Sequence, residues 1–78
     1  MDPLVQEKDY IFKLIHDEKF EDAMLKLLQA KERWEAASYG YKFKEMREII
    51  LSTVNEKYRD STHWKQRKKW MNLLNKLA

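Results

Sequence analysis

The sequence contains no cysteine, one glycine and one proline among its 78 residues. The absence of cysteine excludes disulfides and thiolate metal sites, and it is typical of proteins that work in a reducing, cytoplasmic environment. The scarcity of glycine and proline predicts few turns and long helices. A single glycine also excludes a glycine-rich phosphate-binding loop.

Long apolar runs are also missing, because none approaches the roughly 18 residues of a membrane-spanning helix. At the N-terminus, Asp2 and Pro3 stand where a secretory signal would have Lys or Arg before an apolar block. We therefore expect an intracellular, cytoplasmic chain with no membrane span.

What is present is a mixture of 44% hydrophobic and 37% charged residues, with 13% aromatics. This composition is too apolar for a disordered tail. The length predicts a single domain over residues 1–78. So short a chain buries little surface and is marginally stable, so association with a partner or a second copy is one way to stabilise it.

Helical periodicity predicts an all-α fold, a small antiparallel bundle of four helices at residues 3–16, 19–38, 42–58 and 61–77. Asp2 and Pro3 are typical of a helix start. We favour a turn at residues 16–19 over one helix through residues 3–37, because a hairpin lets the two apolar stripes bury each other. An alternative is two helical hairpins that pair in a dimer.

The second helix carries apolar side chains around an arc of about 240°, whereas a surface helix needs only about 100°. It is therefore expected to contact neighbours on two sides. Gly40 follows this helix and is expected to cap it in a left-handed conformation. The apolar residues of this helix are Phe20, Ala23, Met24, Leu25, Leu27, Leu28, Ala30 and Trp34.

Residues 18–30, EKFEDAMLKLLQA, locally resemble the turn and second helix of a tetratricopeptide unit. The resemblance lies in the aromatic Phe20 and in the small Ala23 and Ala30. The first-helix Trp and Leu-Gly of that family and its closing Pro are absent, and a stack needs about three copies where this chain has one. We treat the segment as a generic helical hairpin and assign no family.

Charge is unevenly distributed along the chain. Residues 1–40 hold nine acids and six bases, for a net charge of −3, whereas residues 41–78 hold four acids and ten bases, for +6. One interpretation is that the two halves fold against each other and attract weakly. The other is that the basic end binds an anionic partner.

The segment HWKQRKKW, residues 63–70, interleaves cations with two indoles. Nucleic acid, an anionic membrane surface or an acidic protein would each suit this pattern, and an ordinary helix with core Trp and solvated Lys is the alternative. His63 and Arg67 fall on the apolar side of the helix. Either the first turn overhangs the core, or the two side chains contact an acid on helix 1 or 2, or they contact a partner. The candidate partner-binding residues here are Trp64, Lys65, Arg67, Lys68, Lys69 and Trp70.

A second group of candidate partner-binding residues, Trp34, Tyr39 and Tyr41, surrounds Gly40. These rings either plug one end of a small core or form a contact patch, since Trp and Tyr dominate interface hot spots.

The sequence contains no strong catalytic or metal-binding motif. His16 and His63 are the two histidines, and neither has a second ligand at metal-binding spacing. We therefore expect no catalytic residues, no metal site and no cofactor.

The predicted function is a small non-enzymatic intracellular protein-binding module of adaptor, inhibitor or regulator type. It would present a helical face with aromatic anchors to a protein partner with an acidic surface. One alternative is a nucleic-acid-binding protein that uses the basic C-terminal helix. Another is a homo-oligomeric structural unit, with a homodimer as its simplest form.

Overall fold

The computed structural model describes residues 2–78, which form four α-helices and no strand. Helix α1 spans Pro3–His16, α2 spans Phe20–Ala36, α3 spans Gly40–Asp60 and α4 spans Trp64–Leu77. Within these residues, no helix combines the length and the apolar character needed to cross a membrane. The prediction of an all-α fold with four helices is confirmed.

The predicted helix bounds are right for α1 and differ by at most three residues elsewhere. Helix α1 begins as expected, because Asp2 Oδ1 accepts the Leu4 N–H at 3.0 Å and Pro3 fills the first position. It ends at His16, so the alternative of one helix through residues 3–37 is wrong. Helix α3 extends two residues further at each end than predicted, and α4 begins three residues later.

Both helical hairpins turn through a left-handed residue that is not glycine. Glu18 has φ 61° after α1, and Ser38 has φ 58° after α2. In the second turn the Tyr39 N–H donates to the Trp34 carbonyl at 2.6 Å, and the first turn closes in the same pattern. This bond satisfies a terminal carbonyl of the helix. The expectation that Gly40 is left-handed is wrong, because Gly40 is the first residue of α3 and has no positive φ.

Helix α2 supplies half of the buried apolar core and contacts each of the other three helices. The prediction that it has neighbours on two sides is confirmed. Its arc is only partly covered, however, since Leu25 and Leu28 are 58% and 52% exposed. The buried core consists of Ile11, Leu14, Phe20, Ala23, Met24, Leu27, Ala30, Trp34, Phe43, Met46, Ile50 and Val54.

Three ion pairs join different parts of the fold. They are Arg33–Glu7 at 2.8 Å, Lys57–Glu18 at 2.5 Å and Lys76–Glu21 at 2.8 Å. The last two connect the acidic first half to the basic second half, which supports weak attraction between the halves. All three are partly exposed, so solvent screens them and their contribution to stability is small.

Helix α4 is the least buried element and has no fully buried residue. Trp70, midway along α4, meets Phe20, the first residue of α2, with ring centroids 6.0 Å apart. Residues 64–69 therefore lie beyond the start of α2, beside the end of α3. The molecule is accordingly elongated, 43 × 20 × 15 Å. Of the explanations for the polar residues at the start of α4, the overhang beyond the core is the one observed.

Candidate functional site

The exposed first half of α4 starts from a cap made by His63. Its Nδ1 accepts the Lys65 N–H at 3.2 Å, and its ring stacks on Trp64 with centroids 6.2 Å apart. A side chain that accepts from the second residue of a helix satisfies one of the free N–H groups at its start. His63 therefore has a local structural role.

Arg67 holds α4 to the end of α3. Its Nη1 donates to the Ser61 carbonyl at 3.0 Å and, more weakly, to the Tyr58 carbonyl at 3.4 Å. The guanidinium also lies 4.4 Å from the centre of the Tyr58 ring. Cations are favoured at helix C-termini, where free carbonyls carry partial negative charge. Of the alternatives for Arg67, an acid on helix 1 or 2 is not the observed acceptor, because its hydrogen bonds within residues 2–78 go to backbone oxygens. Its contact with a partner stays a prediction.

Trp64 presents the largest exposed ring in α4. It is 65% exposed, and Lys65 Nζ lies 5.7 Å from its centre. Lys68 and Met71 follow at helical spacings of four and seven, and Met71 is 38% exposed. We call Trp64, Lys68 and Met71 the α4 stripe.

The cations around the α4 stripe have no acidic neighbour on their own helix. Helix α4 holds five Lys and Arg side chains and no Asp or Glu. Within residues 2–78, Lys65, Lys68 and Lys69 are exposed and form no ion pair. Lys69 Nζ instead lies 4.9 Å from the centre of the Trp70 ring. Trp70 is only partly exposed and packs on Phe20, so it anchors α4 rather than offering a free ring.

Trp34, Tyr39 and Tyr41 form a chain of edge-to-face rings, 5.5 and 5.4 Å apart between successive centroids. The chain runs from the core to the surface, because Trp34 is 0% exposed and Tyr41 is 64% exposed. The expectation that Trp34 contacts a partner is corrected, since its indole is enclosed by the core. Tyr39 is partly buried, which leaves Tyr41 as the exposed ring of this group.

The indole N–H of Trp34 is buried and has no hydrogen-bond acceptor at bonding distance and angle within residues 2–78. The Glu7 carboxylate has a pKa below its ordinary value. The chief cause of the lowered pKa is the hydrogen bond from Arg33, and the Trp34 N–H adds to it. Lys57 lowers the pKa of Glu18 in the same way. Glu7 thus pairs α1 with α2, and Glu18 pairs the turn after α1 with α3.

A groove that the sequence did not predict lies between α2 and the end of α4. Met24, Leu25, Leu28 and Leu77 form its apolar floor, and its open volume is about 310 Å³. Glu21, Asp22 and Lys76 form its rim. We call this the leucine groove. The one sequence signal for it was the apolar arc of α2, which is wider than its neighbours cover.

The described chain contains no cluster of acidic and histidine side chains of the kind that binds a metal. Residues 2–78 contain no group of three or more His, Asp or Glu side chains placed to hold a metal ion. The fold thus brings together Trp64, Lys65, Lys68 and Lys69 from the predicted set, and it separates them from Trp34, Tyr39 and Tyr41 at the α2–α3 turn.

Comparison with known proteins identifies no relative. No protein-family model matches the chain, and neither a curated protein nor a solved structure matches it. The functional argument therefore depends on the two exposed apolar surfaces, the α4 stripe and the leucine groove.

Proposed function

We propose that this chain is a small, non-enzymatic, cytoplasmic protein-binding module of adaptor, inhibitor or regulator type, which binds an acidic partner through the α4 stripe. The observation that carries the proposal is Trp64, whose indole is 65% exposed among lysines that form no ion pair within residues 2–78. Burying a large apolar side chain contributes about 1.5–3 kcal/mol. Trp is also enriched among the residues that dominate interface energy.

The placement of the α4 stripe suits recognition by a groove. Trp64 and Met71 lie two turns apart on one face, so a partner cleft can receive both at once. Lys65 and Lys68 flank these apolar contacts and would meet carboxylates at the rim of the cleft. The overhang of residues 64–69 leaves room for a partner to approach.

The shape of the surface grooves supports a binding function more than a catalytic one. The grooves along α2 and α3 are open rather than enclosed. Catalytic and small-molecule sites are usually concave and bury most of their ligand. The absence of cysteine supports a reducing compartment.

Nucleic acid is the second candidate partner, favoured by the five cations and the lack of acids in α4. Lys65, Lys68 and Lys69 would contact phosphates, and Trp64 would stack on an unpaired base. Such binding depends steeply on salt. Three phosphate contacts on a single strand predict a slope of about −2 in a plot of log affinity against log salt concentration.

A titration with defined probes separates these candidates. The probes are a fluorescently labelled acidic helical peptide with Leu at positions i, i+4 and i+7, a scrambled peptide of the same composition, and an oligothymidylate strand. We expect the amphipathic peptide to bind at least about tenfold more tightly than the scrambled one, a difference of about 1.4 kcal/mol. Trp64→Ala should abolish that preference, whereas Tyr41→Ala, which removes an equally exposed ring at the other turn, should retain it.

Two outcomes would contradict the protein-binding proposal. Equal binding of both peptides would mean that charge alone is recognised and that the apolar stripe is unused. Tight binding of the oligothymidylate with the slope given above, and with a loss in Trp64→Ala, would favour the nucleic-acid candidate instead.

A further inference from the structure

The leucine groove has the properties of a receptor for a basic, apolar helix. Leu25 and Leu28 are more than half exposed although they lie on the helix that supplies half of the buried core. Asp22 on the rim is exposed, and within residues 2–78 it forms no ion pair. Glu32 lies one turn beyond Leu28 on the same side of α2 and is also exposed and free of ion pairs there. The border of the apolar floor thus carries Asp22 and Glu32 as unpaired acids within residues 2–78, beside Glu21, which is paired with Lys76.

The α4 stripe has the complementary properties. Trp64 and Met71 would supply the apolar contact, and Lys65 and Lys68 would supply the positive charge. The apolar floor of the leucine groove would contact the apolar side chains of the α4 stripe, and the carboxylates of the groove would contact the lysine ammonium groups. The two surfaces are therefore complementary in apolar character and in the sign of their unpaired charges.

The two surfaces cannot meet within one molecule. Trp64 begins α4 and Leu77 ends it, so a separation of about 20 Å follows from the helical rise of 1.5 Å per residue. Because both surfaces belong partly to the same rigid helix, one chain can use them simultaneously with two different neighbours. A contact between two different patches is heterologous and extends from chain to chain unless its rotation closes a ring.

We infer that the leucine groove of one chain receives the α4 stripe of a second copy, so that the chain associates head to tail. This inference depends on the proposed function of the α4 stripe, and it identifies the acidic partner as another copy of the chain. Association should weaken as salt rises, because exposed charges contribute to it, and should persist in part, because its centre is apolar.

The test is a mixing experiment with two variants measured by light scattering. Leu28→Asp disables the groove and leaves the stripe intact. Trp64→Asp disables the stripe and leaves the groove intact. Both positions are exposed, so folding should be retained and is checked by circular dichroism. We expect the wild-type mass to rise above the monomer value of 9.6 kDa with concentration, each variant alone to stay monomeric, and the mixture to reach twice the monomer mass. Tyr41→Asp is the matched control and should associate like the wild type.

Three results would overturn the inference. A wild-type chain that remains monomeric at about millimolar concentration in low salt would exclude self-association, while the peptide titration would still test the stripe against other partners. A mixture that stays monomeric while the wild type associates would exclude the pairing of groove with stripe. Association that survives Leu28→Asp but is lost in Trp64→Asp would assign the stripe to a different surface of the second copy and would leave the proposed function standing.

Discussion

Arg67→Ala should destabilise the fold by about 2 kcal/mol. The charged hydrogen bond to the Ser61 carbonyl at 3.0 Å contributes about 1.5–3 kcal/mol. The contact with the Tyr58 ring contributes about 0.5–1 kcal/mol where a cation is partly exposed. These contributions share one side chain and do not add fully, which places the total near the middle of the range.

The measurement is urea unfolding followed by circular dichroism. For a domain of this size, a loss of about 2 kcal/mol corresponds to a fall in Tm of about 8–16 °C. Lys68→Ala is the matched control, because it removes the same charge from the next position, where the side chain is exposed and forms no ion pair within residues 2–78. It should change stability by less than about 0.5 kcal/mol. Arg67→Lys should be intermediate, since an ammonium group lacks the planar fork.

Equal effects of Arg67→Ala and Lys68→Ala would refute this reasoning. They would show that Arg67 projects into solvent and that α4 is positioned by its apolar side alone.

The remaining predictions concern charge, backbone and exposure. Glu7→Gln should destabilise at pH 7 by up to about 1 kcal/mol. Because the folded pKa of Glu7 is lowered, its stabilisation is present above the ordinary value near pH 4.5 and is lost as the pH falls through the folded value, so the variant and the wild type should converge once the pH lies below the folded pKa. Gly40→Ala should stabilise by about 0.4–1 kcal/mol, since φ is not left-handed and the new Cβ would meet Glu35 Cγ at an ordinary 3.5 Å. Ser38→Gly should stabilise by up to about 1 kcal/mol by relieving φ 58°. Trp64→Phe should remove most of the acrylamide-quenchable tryptophan emission, because the other two indoles are buried or partly buried.

Three of these four predictions have a clear contradicting result. A difference between wild type and Glu7→Gln that stays constant from pH 7 to below the folded pKa of Glu7 would mean that the ion pair with Arg33 does not form. Destabilisation by Gly40→Ala would indicate that Gly40 has the left-handed conformation that the structure excludes. Undiminished quenching in Trp64→Phe would place the accessible indole elsewhere in the chain.

The sequence was sufficient to predict the helices, because their periodicity and the single Pro left few alternatives. It was insufficient for the turns. Ser38 and Glu18 adopt left-handed conformations that their residue types do not announce, whereas Gly40, the obvious candidate, continues into a helix. A backbone hydrogen bond that returns to the last turn of the helix can hold an ordinary residue at positive φ, and residue type alone does not reveal where such a bond forms.

The candidate site was predictable in position and unpredictable in detail. Trp34, Trp64 and Trp70 all lie in segments predicted to be helical, yet their side chains range from fully buried to mostly exposed. The exposure of these side chains depends on the position along α4 at which it contacts α2. The periodicity of a single helix does not predict that position. For Arg67, the sequence placed it correctly on the apolar side, but the backbone acceptors that explain it come from another helix.

The unequal packing of the four helices has a consequence for ligand binding. With no fully buried residue, α4 should open locally at a lower free energy than α2, and its amides should exchange with deuterium first. Any partner that recognises the docked α4 then binds a conformation whose population is below one, and its apparent affinity is reduced by that fraction. In return, a bound partner would slow amide exchange throughout α4, because it stabilises the docked conformation of that helix.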